Sequence, residues 1–273
     1  MRPAGPYRRT TFRALSVQCF REASNVDMAV GTALRYPYYP YYPVVVDILR
    51  SRVADRVLDA PCGLGWLGDT LPGASGRQVV LDGVGLWEFP PASAGYRSVT
   101  EHDLETPLAV AQEYDAAVCC EAIHLLTNPG VLVQSLHRAL RPGGTLILTT
   151  PNTWNLRSRF QFLIRGFHSG FRPMVGRQRG ADYITYFPWS FPQLHLLLSH
   201  YGFVDITLHE VDEVKPKRRI EHLLAVPSQL YYRQRIKRAE TEETRDFWKQ
   251  AGSRQSVHGR WLVVSARKPA DEK

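Results

Sequence analysis

Cysteine is scarce in this chain. Only four of 273 residues are cysteine; Cys119 and Cys120 are adjacent, and Cys19 and Cys62 stand far apart. Neither a metal-ligand spacing nor a secreted disulfide framework can be built from them. No uninterrupted apolar run approaches the roughly 20 residues that cross a bilayer, which excludes a helical membrane span. Charge of one sign is also lacking: 34 basic against 26 acidic residues leave +8, and with 44% hydrophobic residues the chain has too much to bury for a disordered polypeptide. Its length fits one large domain, or one domain with sizeable insertions. Acids are missing before Glu22, whereas Arg2, Arg8, Arg9, Arg13 and Arg21 crowd the same stretch. Residues 1–24 thus have the composition of a mitochondrial transit peptide and equally of a basic solvated tail. With no apolar signal segment or clear cleavage signal, the tail and a cytoplasmic location are preferred. The positive balance permits contact with nucleic acid or an anionic membrane face, which concerns association and not fold.

Prolines 37, 40 and 43 recur every third residue in the run Arg35 to Pro43, with tyrosines at 36, 38, 39, 41 and 42. That period predicts a polyproline II strip, packed on the domain or covering a ligand. Apolar spacing compatible with a helix resumes at 44–50. From Arg56 to Asn152 five short apolar or β-branched runs alternate with helical or turn-rich segments: RVLDAP, QVVLD, YRSVTEHD, YDAAVCCE and GTLILTTPN. Such alternation implies a parallel sheet covered on both faces. Leu132, Leu136 and Leu140 mark one helical face, ended by Pro142-Gly143-Gly144. Leu194, Leu197 and Leu198 mark another before a Gly202-Phe203 turn and a strand, and WLVVSARK reads as the last strand. The expected fold is therefore α/β, a doubly wound, mostly parallel, seven-stranded sheet with helical insertions. Residues 1–50 form an N-terminal extension, 51–268 the main domain, and 269–273 a tail. A lid insertion is expected at 153–190, rich in arginine and aromatics, and a basic helical insertion at 213–256.

The loop after the first strand is the most informative. Asp59-Ala-Pro-Cys-Gly63-Leu-Gly65-Trp-Leu-Gly68 contains G-x-G-x-x-G, and Asp82 is expected to end the next strand, as in a dinucleotide fold. Yet a pyrophosphate would meet the negative charge of Asp59 at the head of the loop. A cofactor without phosphate, carrying an ammonium and a sulfonium, would be attracted by that carboxylate, while the glycines still let the backbone approach it.

With these residues in place, the sequence resembles the class I S-adenosylmethionine-dependent methyltransferases, a Rossmann-like family, over about residues 53–152. VLDAPCGLG is similar to the first motif of that family, YDAAVCCEAIHLL to its fourth-strand motif and LRPGGTLILTTPN to the segment leading into its fifth strand. The resemblance implies that Asp59, Gly63 and Gly65 line the methionine end of S-adenosylmethionine, Asp82 holds the ribose hydroxyls, and Asp103 recognises the adenine amino group. Ala60, Pro61, Leu104 and Glu121 complete the implied cofactor set. No metal is implied. Each acid also has a plain structural reading, Asp59 as a helix cap, Asp82 and Asp103 as solvated strand-end acids. Cys62, Cys119 and Cys120 read as packing residues.

Many relatives carry an acid-histidine pair after the fourth strand; here Glu121-Ala-Ile-His124 places the histidine one position early. His124 is the candidate general base, with a histidine bonded to loop backbone as the alternative. Methyl transfer is a direct displacement in which positioning supplies much of the acceleration, so a base is not obligatory. Arg157, Arg159, His168 and Tyr186, in the lid, are the candidates for gripping an anionic or sugar-bearing acceptor. The expected function is methyl transfer to a hydroxyl of a small-molecule or glycan acceptor. The alternatives are a lipid-linked or quinone-like acceptor at a membrane face, reached through peripheral contact by residues 213–240, and a partner subunit that binds the cofactor without catalysis. Nucleic acid is disfavoured, because no RNA-binding module signature accompanies the basic stretch.

Overall fold

The computed structural model describes residues 36, 38–75, 78–86, 90–91, 94–110, 113–169, 187–216 and 220–270. The arginine-rich stretch before residue 36, Tyr186 and the middle of the expected lid lie outside the described residues. In chain order the elements are α1 (Tyr42–Ser51), β1 (Arg56–Asp59), α2 (Trp66–Ser75), β2 (Val80–Gly85), β3 (Ser98–Glu101), β4 (Tyr114–Cys120), α3 (Pro129–Ala139), β5 (Leu140–Pro151), α4 (Leu156–Arg165), α5 (Phe191–His200), β6 (Val204–His209), α6 (Ile220–Lys237), α7 (Glu242–Ala251), α8 (Arg254–His258) and β7 (Trp261–Arg267). The seven strands form one sheet in the order β3-β2-β1-β4-β5-β7-β6, all parallel except β7, which runs against both neighbours. This is the expected doubly wound sheet, and the basic 213–256 stretch contains the α6–α7 helix pair.

Central strands read as continuous apolar runs because both their faces are covered. On one face Leu58, Ala117, Leu146 and Leu148 pack with Leu132 and Leu136 of α3 and Leu194 and Leu198 of α5. On the other, Val57, Val118 and Ile147 pack with Val45 and Leu49 of α1 and Leu67 and Leu71 of α2. Among the described residues no helix is long and apolar enough to cross a membrane.

Three local expectations change. The tyrosine strip is not polyproline II where it meets the domain: Tyr41 is helical in its backbone (φ −86, ψ −11), the Tyr42 N–H bonds to the Tyr39 carbonyl, and α1 starts at Tyr42 with Pro43 in its first turn, where a missing N–H is harmless. Pro142-Gly143-Gly144 does not sit outside the sheet but forms an irregularity at the start of β5, with Gly143 at φ +79, where the register against β4 shifts. And β2 does not end at Asp82. It continues through Gly83-Val84-Gly85, because a Cβ on Gly83 would stand 3.0 Å from the Cys62 side chain and 3.1 Å from the Tyr96 ring, so close packing and not a turn explains the glycine.

Candidate functional site

The carboxyl ends of β1, β2 and β4 meet at one edge of the sheet, the edge at which open α/β sheets take ligands. The chain leaves β1 through a tight loop held by backbone bonds: Ala60 N–H to Val118 carbonyl (2.9 Å), Cys62 N–H to Val84 carbonyl (2.9 Å) and Gly65 N–H to Cys62 carbonyl (2.9 Å). Gly63 and Gly65 have φ of +54 and +86, the left-handed region that glycine enters without strain. The loop forms one wall of a cavity of about 320 Å³. Gly85 and Leu86 from the end of β2, Asp103 to Glu105 after β3, and Cys120 to Ala122 with Leu125 and Leu126 after β4 form the others. Tyr36, Tyr39, Tyr41, Tyr42 and Trp66 cover it with aromatic rings; Tyr42 lies flat on Trp66, centroids 3.8 Å apart.

Three carboxylates face this cavity, and among the described residues no arginine, lysine or histidine does. They are not equivalent. Glu105 accepts from the Thr127 N–H (2.6 Å), the Thr127 hydroxyl (2.8 Å) and the Asn128 N–H (3.2 Å) beside the start of α3. Burial works to raise its pKa, but those three bonds outweigh it and hold the carboxyl below the usual range. Asp103 is exposed, and its Oδ1 accepts from the Glu105 N–H (3.0 Å). Glu121 has φ of +57, an unusual backbone for a residue with a Cβ, held by its N–H to the Thr149 carbonyl and by the Thr149 hydroxyl on Oε1 (3.2 Å). Desolvation pushes this carboxyl up to about 8, against the one hydrogen bond.

Beneath the loop Asp59 is fully buried, does not itself line the cavity, and accepts a 2.5 Å hydrogen bond from the Tyr96 hydroxyl on Oδ2. Its Oδ1 is buried with no hydrogen-bond partner. Desolvation raises the carboxyl to about 7, opposed by the Tyr96 bond. An acid left half-satisfied in the interior is an acceptor waiting for a donor.

Of the cofactor residues expected from sequence, Pro61, Gly63, Asp103, Leu104 and Glu121 line the cavity; Ala60 and Gly65 shape its loop from within. Asp82 requires a correction of place. It lies in mid-strand, and its carboxylate takes hydrogen bonds from Arg97 Nε (2.9 Å), Arg97 Nη2, Ser98 (2.6 Å) and Tyr114 (3.0 Å), which overcome burial and lower its pKa. The strand end expected for it is occupied by Gly85. Tyr36, Tyr39, Tyr41, Tyr42, Trp66, Leu86 and Glu105 line the cavity as well, outside the set expected from sequence; the tyrosine run, expected to pack on the domain or to cover a ligand, is the visible signal for four of these rings.

His124 is also displaced from its expected place. It is buried outside the cavity lining, its Nδ1 is 3.2 Å from the Thr150 hydroxyl, and burial lowers its pKa to about 4. In the turn after β4, Ala122, Leu125 and Leu126 face the cavity while Ile123 joins the core on the α3 face. The lid candidates separate. Arg159 donates its Nε to the Trp154 carbonyl (2.7 Å), and His168 is buried against Phe162 with Nδ1 3.2 Å from the Ser158 hydroxyl; neither lines the cavity. Arg157 lines a second, polar cleft beside the first residue of β7.

A model of the methyltransferase domain family matches residues 39–208. Among curated proteins, the chain is 25% identical over 130 residues to the ubiquinone biosynthesis O-methyltransferase of Pseudomonas savastanoi pv. phaseolicola, covering 42% of this chain and 54% of that protein. It is 27% identical, over the same shares, to the protein of that name from Dechloromonas aromatica. The chain thus spans about half the length of the curated relatives it matches. Among solved structures, a possible exported protein from Bordetella parapertussis aligns with TM-score 0.53 at 15% identity over 95% of this chain and 81% of that one. The apo form of the S-adenosylmethionine-dependent methyltransferase SibL aligns with TM-score 0.51 at 15% identity over 83% of this chain and 54% of that one. At such identities the structural likeness speaks for the fold alone.

Proposed function

Because the chain belongs to the methyltransferase domain family, as a class I S-adenosylmethionine-dependent methyltransferase, we propose that it moves the methyl group to a hydroxyl of a small-molecule or glycan acceptor, with the aromatic cavity as its cofactor site. The observation that carries this reading is the lining itself: carboxylates and π faces without one basic side chain among the described residues, which suits a cationic ligand and repels a pyrophosphate. The hydroxyl preference draws on the curated relatives, which are named as O-methyltransferases.

S-adenosylmethionine, when bound, supplies an electrophilic methyl group on a sulfonium centre. The residues around it do the rest. Glu121 gives up its proton as a cation enters and then faces it as a carboxylate. Tyr39, Tyr42 and Trp66 present ring faces and keep water from the reacting centre. Asp103 would accept from the adenine amino group, and Asp59, bonded to Tyr96, would set the charge beneath the loop. No base is assigned, because His124 lies outside the lining and positioning suffices for a direct displacement.

Calorimetric titration tests the site: saturable binding of S-adenosylmethionine and none of NADH is expected, and saturable NADH binding would overturn the assignment. Turnover of the cofactor in an extract containing acceptors separates an enzyme from a cofactor-binding partner subunit. For the adenine end, Asp103→Asn is expected to weaken binding modestly and to relax discrimination against the inosine analogue, since an amide can donate as well as accept. Competition calorimetry with the two nucleosides measures it, and undiminished preference for adenosine would leave Asp103 a surface acid.

One observation favours the membrane-face alternative. Leu163 is 79% exposed and Ile164 74% on α4, and Leu223 is 71% exposed on α6, two helices that also carry exposed Arg165, Arg233 and Lys237. Such a surface suits an anionic lipid face. If it docks there, the protein should cosediment with phosphatidylglycerol vesicles but not phosphatidylcholine vesicles, and Leu163→Glu with Leu223→Glu should abolish it. Equal recovery of parent and double variant would remove this reading.

A further inference from the structure

The antiparallel β7 starts at the same edge where β5 ends, Trp261 pairing with Pro151. Behind Trp261 lies a second cleft of about 320 Å³, lined by polar side chains where the cofactor cavity is aromatic. Its framework is fixed. Asn152, buried at the end of β5, donates to the carbonyls of Ser256 (2.8 Å) and Gly259 (2.9 Å) and accepts from the Trp154 N–H (3.2 Å). One side chain therefore pins both the segment presenting His258 and Arg260 and the entry to α4, which presents Arg157. The Arg260 N–H is held by Glu213 (2.9 Å). His258 Nδ1 is buried with no hydrogen-bond partner, an unsatisfied polar atom in a cleft that two arginines line.

The electrostatics favour an anion. Glu221 is the one acid on the described lining, against Arg157 and Arg260. Burial lowers the pKa of the His258 ring, Glu221 opposes that shift, and the nearby charges of His222, Arg254 and Arg159 add to it. Positive charge thus converges on a site whose own carboxylate does not balance it.

We infer that this cleft binds an oxyanion group, a carboxylate or a phosphate, on the acceptor. The proposal deepens the methyltransferase reading and rests on it. Trp261 is the partition: its ring stands edge-on to Tyr39 (5.3 Å between centroids) and Tyr41 (5.2 Å), both of which line the cofactor cavity. An acceptor anchored through its acidic group in the cleft must extend past the edge of that ring for its hydroxyl to reach the cofactor cavity. The acceptor class is therefore a hydroxylated small molecule that also carries an acid, and not a neutral sugar or a hydrocarbon-tailed ring alone.

The test uses the full chain saturated with S-adenosylhomocysteine, titrated with inorganic phosphate and with acetate at constant ionic strength, and read by the histidine ring resonances. His258→Gln assigns the signal. Saturable displacement of the His258 resonance is expected with at least one of the two anions, and the tighter of them tells phosphoryl from carboxylate acceptors. Arg157→Gln and Arg260→Gln should each weaken that anion by roughly tenfold, the loss of one charge-assisted contact. Arg157 and Arg260 are both exposed, and the Arg260 N–H that Glu213 holds is backbone, so both variants should keep the fold. Affinity for S-adenosylhomocysteine, measured separately, should stay within about twofold of the parent, as the arginines lie outside that cavity. The absence of saturation with both anions, or an unchanged affinity in both arginine variants, would overturn the anchor while leaving the cofactor site standing. Failure of S-adenosylhomocysteine to bind the parent would instead strike the methyltransferase reading.

Discussion

Glu121→Gln is expected to weaken S-adenosylmethionine binding by about 1–3 kcal/mol, roughly 5- to 150-fold, and to flatten its dependence on pH. The parent carboxyl is held up to about 8 by desolvation, so in the unliganded chain it is mostly protonated at neutral pH. A cation beside it favours the ionised form, and binding therefore releases a proton. Affinity in the parent should rise as pH climbs towards about 8 and level off above it; in the glutamine variant this rise is lost. Calorimetry in buffers of differing ionisation enthalpy counts the proton directly. A glutamine variant with parent affinity and the same pH profile would show that Glu121 does not face the cation. The same raised values bear on folding. A carboxyl whose folded pKa exceeds its unfolded one stabilises the fold below the unfolded value and loses that contribution as pH rises through the folded one. With Asp59 at about 7 and Glu121 at about 8, both carboxyls favour the folded unliganded chain at pH 5 over pH 8, Asp59 by on the order of 3 kcal/mol across that window, while the lowered pKa of buried His124 works the other way; the melting-temperature deficit of Glu121→Gln relative to the parent should therefore be larger at pH 5 than at pH 8.

Gly68→Ala should be the most damaging of the glycine substitutions in the loop and α2. A Cβ there would stand 1.5 Å from the backbone carbonyl oxygen of Ala94 and 2.4 Å from the Tyr96 ring. Backbone cannot yield as a flexible side chain can, so about 3 kcal/mol or more of stability should be lost, a fall in Tm of several degrees. Because Tyr96 is the hydrogen-bond donor to Asp59, cofactor affinity should fall with it. Gly63→Ala provides the contrast: nothing lies within 4 Å of its Cβ, and only the positive φ opposes it, at about 1 kcal/mol. Equal melting temperatures for the two variants would mean that α2 can move away from residues 94–96.

All seven strands could be read from the sequence: the central ones because a strand covered on both faces is mostly apolar, as YDAAVCC and TLILTT are, and the largely exposed edge strands β3 and β6 from their β-branched residues beside turn signals. The length of β2 could not. Gly83 and Gly85 look like the end of a strand by propensity, and the reason for Gly83 being in one, the side chains of Cys62 and Tyr96 packed over it, is a tertiary contact that no local pattern contains. The misplacement of Asp82 followed from that boundary. Glycines 63 and 65 were readable for what they are, since left-handed backbone leaves a direct trace in residue type. The tyrosines were noticed for their spacing with proline, yet their orientation depended on a turn at Tyr39–Tyr42 and on Trp261, a partner far along the chain. The arginines of α4 stand out by composition alone, which does not tell a side chain bonded to a nearby carbonyl, as Arg159 is to that of Trp154, from one lining a cleft, as Arg157 does.

The reversal of β7 has a kinetic consequence. Its pairing with β5 joins residues 145–151 to 261–267, among the most distant contacts of the sheet along the chain, so the entropy of closing that long loop must be met before the pairing stabilises anything. The strands β1, β2 and β4 and the glycine loop can associate earlier, through shorter closures. Trp261, the first residue of β7, is then among the last parts of the ligand-binding edge to arrive. During synthesis and refolding the tyrosines wait for their edge-on partner, and a cofactor able to occupy the half-built cavity would act on the speed with which the final strand docks as well as on the stability of the finished fold.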